Sequence, residues 1–296
     1  MTNITLYQSI PSHRPLPTLR LIKSLLNTNC KVALDLEDGI QDILNPALTT
    51  GLKEQARKDF AEIIHQLPHK KISLRINAIR SNEFQKDLAL LHQYADHIES
   101  IIIPKTETSE DLAIFCKAFG PTHKINLVVE TQRGIDNIDE ILNSNYSDLI
   151  EFVFFGNYDF HLDNNTYPIT EQGSLNYWSI VEPIIASVES HKKSFGNSPY
   201  ANIADTDCLD FALMQLKKRC KRKFGMMSLH KTQTTYIQKN IANNGTVKTH
   251  SNRINHDTFT LESFVNNTQK GRSFAFDNKR IITPQEYLLL LRKQHG

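Results

Sequence analysis

The chemistry of this chain is first suggested by a carboxylate at the end of an apolar run. Residues 125–129 read as a buried strand, and Glu130 follows them shortly before a helix start near Gly134. A carboxylate that leaves water without a partner costs several kcal/mol or changes its pKa. We therefore expect a bound group beside Glu130.

A second carboxylate follows the next strand-like run. Asp159 comes shortly after Glu151–Gly156, and neighbouring strands lie about 4.8 Å apart, so Glu130 and Asp159 can reach one point. Two carboxylates without a His or Cys beside them favour a hard divalent cation, Mg²⁺ with Mn²⁺ as the alternative ion, and waters and substrate oxygens complete its octahedron. The structural alternative is that each carboxylate caps a helix or pairs with a basic residue, such as Arg133 or Lys105 for Glu130.

Strand parity adds a guanidinium to this site. Successive side chains of a barrel strand alternate between the helix layer and the interior. By this rule three strands direct the following residues inward: Ala33, Asp35, Glu37, Ser73, Arg75, Asn77, Asn126, Val128 and Glu130. The planar fork of Arg75 suits a substrate carboxylate, and an internal ion pair with Asp35 or Glu37 is the alternative; both can hold at once. Lys105 shares the parity of its apolar neighbours, so parity leaves its direction open.

The elements that must position these residues alternate along the chain. Short runs rich in Val, Ile and Phe are followed by stretches of helical period, which is typical of parallel strands joined by crossover helices. The eight predicted strands are Ile4–Gln8, Lys31–Glu37, Lys71–Asn77, Ile98–Lys105, Lys124–Thr131, Glu151–Gly156, Pro199–Ile203 and Lys223–His230. This pattern predicts an α/β fold, a (β/α)8 TIM barrel, in preference to an open doubly wound sheet. No GxGxxG or GxxxxGK[ST] loop follows any run, which argues against dinucleotide and P-loop sites.

The sequence becomes polar and rich in turn-forming residues after a helix predicted at Thr232–Ala242. We divide the chain into a barrel domain at residues 1–242, a polar linker at 243–256 and a C-terminal lid or appendage at 257–296. The appendage is predicted to be helical, with helices at Phe259–Lys270 and Ile282–Gln294. The longest helix of the barrel is predicted at Thr170–Lys193.

Composition restricts the class of protein. The 296 residues are 40% hydrophobic and 22% charged with a formal net charge of +2, which is typical of a soluble globular protein and indicates neither nucleic acid nor a membrane as partner. No apolar segment approaches the roughly 18 residues of a membrane span. The N-terminus lacks the features of a signal peptide, and the four cysteines form no CxxC pair. These features predict a reduced, cytoplasmic protein.

Two further features have an ordinary structural interpretation beside a functional one. The basic run Lys217–Lys223 closes a predicted helix toward the N-terminal face of the barrel, where the helix dipole favours positive charge; a nucleic-acid patch is the less favoured interpretation. His230 is the last residue of the last predicted strand. It could serve as a metal ligand, an acid–base group or a hydrogen-bonded structural histidine, and the last of these is the commonest role.

Six short motifs lie in order on successive predicted strands. They are Asp35-Leu36-Glu37-Asp38-Gly39, Leu74-Arg75-Ile76-Asn77, Ile103-Pro104-Lys105, Val129-Glu130-Thr131 followed by Gly134-Ile135, Phe155-Gly156 followed by Asp159-Phe160, and Ser228-Leu229-His230 followed by Gln233. In this order they resemble the signature of the HpcH/HpaI aldolase and citrate lyase β-subunit (CitE-like) family. The resemblance spans essentially the whole barrel and implies a (β/α)8 barrel of the phosphoenolpyruvate/pyruvate superfamily.

The resemblance implies roles for individual residues. Glu130 and Asp159 correspond to the carboxylates that hold Mg²⁺, and Arg75 corresponds to the residue that binds the oxo-acid or acyl carbonyl oxygens. Glu37 and Asp38 are expected to hold the waters of the metal or the arginine. With Arg75 they are the candidate catalytic residues.

The implied activity is that of a carbon–carbon lyase or condensing enzyme. Such enzymes split 3-hydroxy acids or their CoA thioesters into a 2-oxo acid and an enolate-derived fragment, with Mg²⁺ as Lewis acid and Arg75 at the enolate oxygen. Asn77 and Lys105 join Arg75 as candidate substrate-binding residues. The resemblance also implies a homo-oligomer, a trimer or hexamer, in which the C-terminal segment reaches a neighbour.

The sequence departs from the family pattern at three positions. Thr283 stands where the C-terminal lid of CoA-dependent members carries an aspartate that acts across a subunit interface. Lys231 replaces the proline after the final-strand histidine, and Ser12 replaces the glycine after the proline that ends strand one. These departures favour a free acid over a CoA thioester as substrate, with Glu37 or a metal-bound water handling the proton. The second hypothesis is a catalytically impaired oxo-acid and metal-binding protein with a regulatory or biosynthetic accessory role.

Overall fold

The barrel predicted from the sequence is confirmed. The computed structural model describes residues 4–11, 15–26, 28–68, 72–242, 261, 264–265, 275–277 and 280–295. Eight parallel strands close into a barrel in sequence order. They are β1 (Ile4–Pro11), β2 (Cys30–Asp35), β3 (Ile72–Arg75), β4 (Ile98–Ile103), β5 (Lys124–Val129), β6 (Ile150–Phe155), β7 (Ser194–Asn197) and β8 (Phe224–Ser228).

Helices cover the outside of the barrel and bury its outward apolar residues. The helices are α1 (Pro15–Leu26), α2 (Thr49–Ile64), α3 (Phe84–Tyr94), α4 (Ser109–Phe119), α5 (Gln132–Asp136), α6 (Ile138–Leu142), α7 (Asn157–Asp163), α8 (Leu175–Ser190), α9 (Thr206–Arg219), α10 (Lys231–Ala242) and α11 (Pro284–His295). The helix predicted to be the longest is present as α8, but it is shortened at both ends to 16 residues and is no longer than α2. Among the described residues, no helix combines the length and the apolar character that a bilayer crossing requires.

The seventh strand corrects a prediction. The apolar residues placed it at Pro199–Ile203, whereas β7 is the run Ser194–Asn197, which contains one large apolar side chain. Gly196 is required there because a Cβ atom at this position would lie under 3.0 Å from the ring of Phe154. An aromatic residue of the neighbouring strand thus fills the interior beside β7. The strand consequently carries no apolar alternation that a sequence pattern could reveal.

Aromatic side chains fill the interior of the barrel. Tyr7 lies edge-on to Phe152 and Phe154, with ring centroids 5.8 and 5.4 Å apart. The hydroxyl oxygens of Ser73 and Ser100 lie 2.7 Å apart across β3 and β4. These contacts and the inner cluster of apolar residues confirm the inward parity predicted for the lower parts of β2, β3 and β5. The barrel is a filled core, and its polar site lies at the carboxyl ends of the strands.

The C-terminal segment, residues 280–295, packs against the barrel. It contains β10 (Arg280–Ile282), which pairs antiparallel with β9 (Ala275–Asp277), and then α11. The predicted last helix is present, but the prediction of a purely helical appendage missed this hairpin, because strands of three residues show no readable alternation. The predicted linker at 243–256 and most of the helix predicted at 259–270 lie outside the described residues.

The segment is seated on the loops that follow β6 and β7. The backbone N–H of Ile281 donates to Ala201 O at 2.9 Å. Ile281 and Leu289 share a buried apolar cluster with Tyr158 and Ile169. The segment is therefore attached directly beside α7, the helix that follows β6.

A buried acidic residue of the barrel faces this segment. Glu171 Oε1 lies 3.9 Å from Arg280 Nη2, and Arg280 is paired within the segment with Glu286. Burial, and next the charge of Glu286, raises the pKa of Glu171 to about 8. One cation is thus shared by two carboxyl groups at the junction of barrel and segment.

Replacing Glu171 by Gln should remove a pH dependence of stability. Folding raises the pKa of Glu171 from 4.5 to about 8. Between pH 4.5 and pH 8 the folded chain therefore binds more protons than the unfolded chain, and the free energy of unfolding falls as pH rises through this range. The slope is at most about 1.4 kcal/mol per pH unit. In urea unfolding between pH 5 and pH 8, the stability of Glu171→Gln relative to the wild type should increase as pH rises. The control is Glu182→Gln, an exposed position on α8, whose stability should change with pH as that of the wild type does. Parallel curves for Glu171→Gln would refute this expectation.

A second buried ion pair joins the helices α2 and α3 to β3. Asp87 accepts hydrogen bonds from Arg57 Nε at 2.7 Å and from the backbone and side-chain nitrogens of Asn77 at 2.6 and 2.8 Å. Asp87 is fully buried. This carboxylate fixes the backbone directly after β3, two residues beyond Arg75.

Asp87→Ala should destabilise the chain by about 3–5 kcal/mol, because it removes one of the two carboxylates that pair with the buried Arg57 guanidinium and leaves the backbone N–H of Asn77 without its acceptor. The measurement is chemical unfolding followed by circular dichroism. Glu54→Ala is the matched control, since Glu54 pairs with Lys86 at 3.2 Å on an exposed surface and its loss should change stability by less than about 0.5 kcal/mol. A loss for Asp87→Ala no larger than that of the control would contradict the structural role of this carboxylate.

Candidate active site

Glu130 follows β5 and is buried against a glycine. Its Oε1 accepts a 2.9 Å hydrogen bond from the backbone N–H of Lys105, which follows β4. Gly156, directly after β6, lies so near that a Cβ atom there would be under 3.0 Å from Glu130. The N–H of Gly156 donates to Val129 O at 2.9 Å, which extends the β5–β6 pairing. Glu130 can occupy this position because residue 156 has no side chain.

Asp159 stands in the first turn of α7 and faces the same cavity as Glu130. Its Oδ2 accepts a 2.8 Å hydrogen bond from Gln285 Nε2, and its Oδ1 lies 3.5 Å from Lys105 Nζ. Burial, and next the charge of Asp159, raises the pKa of Glu130 well above its ordinary value. The structure thus brings together the two carboxylates that the strand order places side by side.

Arg75 is held by acidic residues at the end of β2 and directly after it. Its Nε and Nη2 lie 2.8 and 2.6 Å from the two oxygens of Asp35, the residue with which it pairs in register. Its Nη1 lies 3.0 Å from Glu37 Oε2 and 3.6 Å from Asp38 Oδ2. The backbone N–H groups of Glu37 and Gly39 donate to Asp35 at 2.8 and 3.0 Å. The internal ion pair is therefore present, and it holds Arg75 at the cavity wall.

The backbone sets the direction of Lys105, which strand parity left open. Its φ of 50° lies in the left-handed region, just after β4 ends. Lys105 Nζ then lies 2.6 Å from Glu37 Oε1 and 3.5 Å from both Asp38 Oδ1 and Asp159 Oδ1. Alternation applies only while the chain is extended, so this turn could not be read from the sequence.

The site contains more acidic than basic groups. The acidic cluster consists of five carboxyl groups and the two cations that contact them: Asp35, Glu37, Asp38, Glu130 and Asp159, with Arg75 and Lys105. Burial, and next the charge of Asp38, raises the pKa of Glu37 to about 7. Asp38 is only partly buried, and Lys105 and Arg75 outweigh the effect of burial and lower its pKa to about 2. The cluster therefore favours a further positive charge.

The donor set suits a hard divalent cation. Glu130 and Asp159 offer oxygen atoms only, which Mg²⁺ and Mn²⁺ prefer over the nitrogen and sulfur ligands typical of zinc. Among the described residues, no three His, Cys, Asp or Glu side chains are arranged as a ligand set. Two protein carboxylates with the remaining positions left to water and substrate is the usual arrangement for Mg²⁺.

A cavity that is partly open to solvent lies beside the cluster. Apart from Arg75 and the carboxyl groups of Asp38, Glu130 and Asp159, the residues that line it are uncharged. They include the apolar residues Val128, Phe154, Met227 and Leu229 and the polar residues Asn157, Ser198, Thr283 and Gln285. Among the described lining residues, Arg75 is the one cation. A small acid with one anionic end and a neutral remainder fits this lining.

The C-terminal segment contributes two of these uncharged residues. Thr283, at the place expected for a lid aspartate, lines the cavity, and its Oγ1 accepts from the backbone N–H of Glu286 at 3.3 Å. Gln285 was not singled out from the sequence, yet its Nε2 reaches Asp159 and lies 3.4 Å from Asp38 Oδ2. The one feature of the sequence that could have indicated Gln285 is its position two residues after Thr283. The segment reaches the chain's own site in this structure.

Asn77 is engaged away from the cavity wall. Its Nδ2 donates to Leu36 O at 3.0 Å as well as to Asp87, and its Oδ1 accepts from Lys53. These bonds join β3 to the loop after β2. The assignment of Asn77 to substrate binding stays a prediction, and the contacts observed are structural.

His230 and the basic run lie apart from the acidic cluster. His230 is exposed, and its Nδ1 accepts from the backbone N–H of Thr232 at 3.2 Å. The basic run Lys217–Lys223 spans the end of α9 and the approach to β8. It therefore lies toward the amino end of the barrel, opposite the site. Cys30, Cys116, Cys208 and Cys220 lie among the described residues and form no disulfide.

The fold and this site together define a (β/α)8 barrel protein with a cluster of carboxyl groups at the carboxyl ends of its strands. The model of the HpcH/HpaI aldolase/citrate lyase family matches residues 30–196, and the chain belongs to this family. The resemblance drawn from the six motifs is thereby confirmed. No curated protein gives a significant sequence match.

Solved structures agree on the fold. The citrate lyase beta subunit of M. tuberculosis complexed with oxaloacetate and magnesium is 17% identical, with 80% of this chain and 96% of that chain covered and a TM-score of 0.64. RipC from Yersinia pestis is 16% identical, with 81% and 96% covered and a TM-score of 0.60. The Haloferax volcanii malate synthase pyruvate/acetyl-CoA ternary complex is 13% identical, with 99% and 90% covered and a TM-score of 0.73. At these identities the likeness establishes the architecture.

Gly156→Ala should destabilise the chain by roughly 1–3 kcal/mol, because the new Cβ atom would overlap Glu130 and force it from its place. Gly51→Ala is the matched control: a Cβ at residue 51 meets nothing within 4 Å in α2, so stability should be unchanged or higher by up to about 1 kcal/mol. Urea unfolding of the two variants checks both values. Equal stability of Gly156→Ala and the wild type would show that Glu130 does not lie against Gly156.

Proposed function

We propose that the protein is an Mg²⁺-dependent carbon–carbon lyase or condensing enzyme. The proposed substrate is a 3-hydroxy acid that yields a 2-oxo acid and an enolate-derived fragment, and a CoA thioester is the alternative substrate. The observation that carries this proposal is the convergence of Glu130 and Asp159 on one cavity with Arg75 in its wall. Family membership and magnesium in the M. tuberculosis structure with oxaloacetate support it.

In this proposal Glu130 and Asp159 would hold the ion, with Mn²⁺ as the alternative to Mg²⁺. A bound divalent ion supplies a Lewis acid that polarises substrate oxygens. The excess of carboxyl groups over cations supports this assignment, since the ion would offset charge that Arg75 and Lys105 leave uncompensated. Apart from Arg75 and the carboxyl groups of Asp38, Glu130 and Asp159, the cavity is lined by uncharged polar and apolar residues, which supports a small free acid.

Arg75 would bind the anionic oxygens of the substrate and stabilise the developing enolate oxygen. Its guanidinium is held from behind by Asp35 at 2.6 and 2.8 Å, so its orientation is fixed before substrate binds. A group that needs no reorganisation during the reaction stabilises charge more effectively than one that must first move.

Glu37 is the proposed proton acceptor. In the cleavage direction the 3-hydroxyl loses its proton to a Glu37 oxygen, the C2–C3 bond breaks, C3 becomes the carbonyl carbon of the oxo acid, and the proton is returned to C2 of the enolate. A pKa raised to about 7 suits a group that must both accept and return a proton near neutral pH. Lys105 Nζ, 2.6 Å from Glu37 Oε1, would hold the carboxylate in place.

A catalytically impaired binding protein is the second candidate. It is favoured by one observation, the uncharged Thr283 and Gln285 that the C-terminal segment presents to the cavity. In that case the protein would bind metal and oxo acid without cleavage. Location in the cytoplasm and assembly into trimers or hexamers remain proposals from the sequence.

Glu130→Gln should weaken Mg²⁺ binding at least about 100-fold, a loss of roughly 2.7 kcal/mol, and abolish oxo-acid formation. Titration calorimetry measures the first effect. Release of oxo acid as its hydrazone from malate, citramalate, citrate and their CoA thioesters measures the second. The control is Glu151→Gln, on β6 but paired with Lys223 at 3.4 Å toward the amino end, which should leave both unchanged.

The outcomes separate the two candidates. Cleavage of any of these acids by the wild type excludes the binding protein. Metal binding that depends on Glu130, without cleavage of any of them, favours the binding protein. Unchanged Mg²⁺ affinity in Glu130→Gln would overturn the metal assignment itself.

A further inference from the structure

Gln285 is the residue of the C-terminal segment that touches the acidic cluster. It is 6% exposed, and its Nε2 donates to Asp159 Oδ2 at 2.8 Å. Asp38 Oδ2 lies 3.4 Å from the same nitrogen. One amide group from the far end of the chain thus contacts two acidic residues that follow different strands of the barrel.

The start of α11 holds Gln285 in this position. Thr283 and Glu286 form a reciprocal cap: Thr283 Oγ1 accepts from the N–H of Glu286 at 3.3 Å, and Glu286 Oε2 accepts from the N–H of Thr283 at 3.2 Å. Pro284 occupies the first helical position, where its fixed φ suits the helix. The residue that follows it, Gln285, therefore projects from a rigid turn.

The rest of the segment is attached to the element that carries Asp159. Leu289 packs in one cluster with Tyr158 of α7, and Arg292 Nη1 donates to Leu162 O of α7 at 2.8 Å. The distance between Gln285 and Asp159 is thus set by contacts on the same helix that supplies the carboxylate.

We propose that Gln285 is a positioning residue for the metal ligand Asp159, an inference that rests on the proposed metal site. Gln285 holds Oδ2, and Oδ1 is turned toward the interior of the cluster, where Lys105 Nζ lies 3.5 Å away. Hydrogen bonds to ligating carboxylates fix their orientation, and losing such a partner typically costs about 10–100-fold in metal affinity.

The chemistry of the amide explains why the segment presents no acid here. An amide donates a hydrogen bond to Asp159 without adding charge, whereas a carboxylate at residue 285 would be a sixth acidic group beside five. Gln285 therefore orients a ligand in a cluster that already has more acids than cations.

The test is titration calorimetry of the full chain with Mg²⁺, repeated with Mn²⁺ by electron paramagnetic resonance. Gln285→Met keeps the length of the side chain but removes its donor, and we expect metal affinity to fall about 10–100-fold. Gln285→Ala should show the same loss. Arg292→Ala is the control, because it removes a hydrogen bond between segment and barrel without touching the acidic cluster, and it should leave the affinity unchanged.

Unchanged affinity in both Gln285 variants would overturn the proposal, as would an equal loss in Arg292→Ala, which would assign Gln285 to general attachment of the segment. The proposed function fails separately. If the wild type binds neither ion, or if Glu130→Gln binds as well as the wild type, the metal site itself is wrong and this inference falls with it. Binding that depends on Glu130 but not on Gln285 overturns this inference alone.

Discussion

The structure depends on gathering five carboxyl groups at the carboxyl ends of β2, β5 and β6. Each would be costly to bury alone, so each has a fixed partner. Asp35 is bound by the fork of Arg75 and two backbone N–H groups, and Glu130 by the N–H of Lys105. Two cations cannot neutralise five acids. Burial, and next the charge of Asp38, therefore raises the pKa of Glu37 to about 7 although Lys105 and Arg75 lower it. This remaining imbalance is what makes the centre suited to a divalent ion and to a proton acceptor near neutral pH.

The packing of the barrel determines which end this chemistry faces. Tyr7 and Phe152 belong to the aromatic filling of the interior, and toward the amino end Lys31 and Lys223 lie over their rings at 5.7 and 5.1 Å. The filling needs space that Gly196 provides, just as Glu130 needs the space that Gly156 provides. Because aromatic side chains fill the interior toward the amino end, a small molecule can reach polar side chains of the barrel only at the carboxyl ends of the strands.

Much of the fold and of the candidate site could be predicted from the sequence, and the remainder has physical causes. Strand alternation gave the inward direction of Arg75, and strand order placed Glu130 beside Asp159. Strand alternation failed at β7, where the ring of Phe154 from the neighbouring strand fills the interior beside Gly196. It also failed at Lys105, where a left-handed φ interrupts the alternation. Gln285 was missed because it meets Asp159 across 126 residues of chain, a contact that no local pattern encodes.

In the proposed reaction, the absence of an acid on the described C-terminal segment where it meets the cavity would place the proton chemistry inside the barrel. Thr283 is occupied in capping α11, and Gln285 can donate a hydrogen bond but cannot exchange a proton near neutral pH. Glu37, beside Lys105 and Arg75, is the group in the cluster whose pKa is about 7. A proton accepted and returned by one internal carboxylate needs no partner from a neighbouring subunit. In the proposed reaction the segment would serve ligand geometry, and residues of a single chain would complete the turnover of a small free acid.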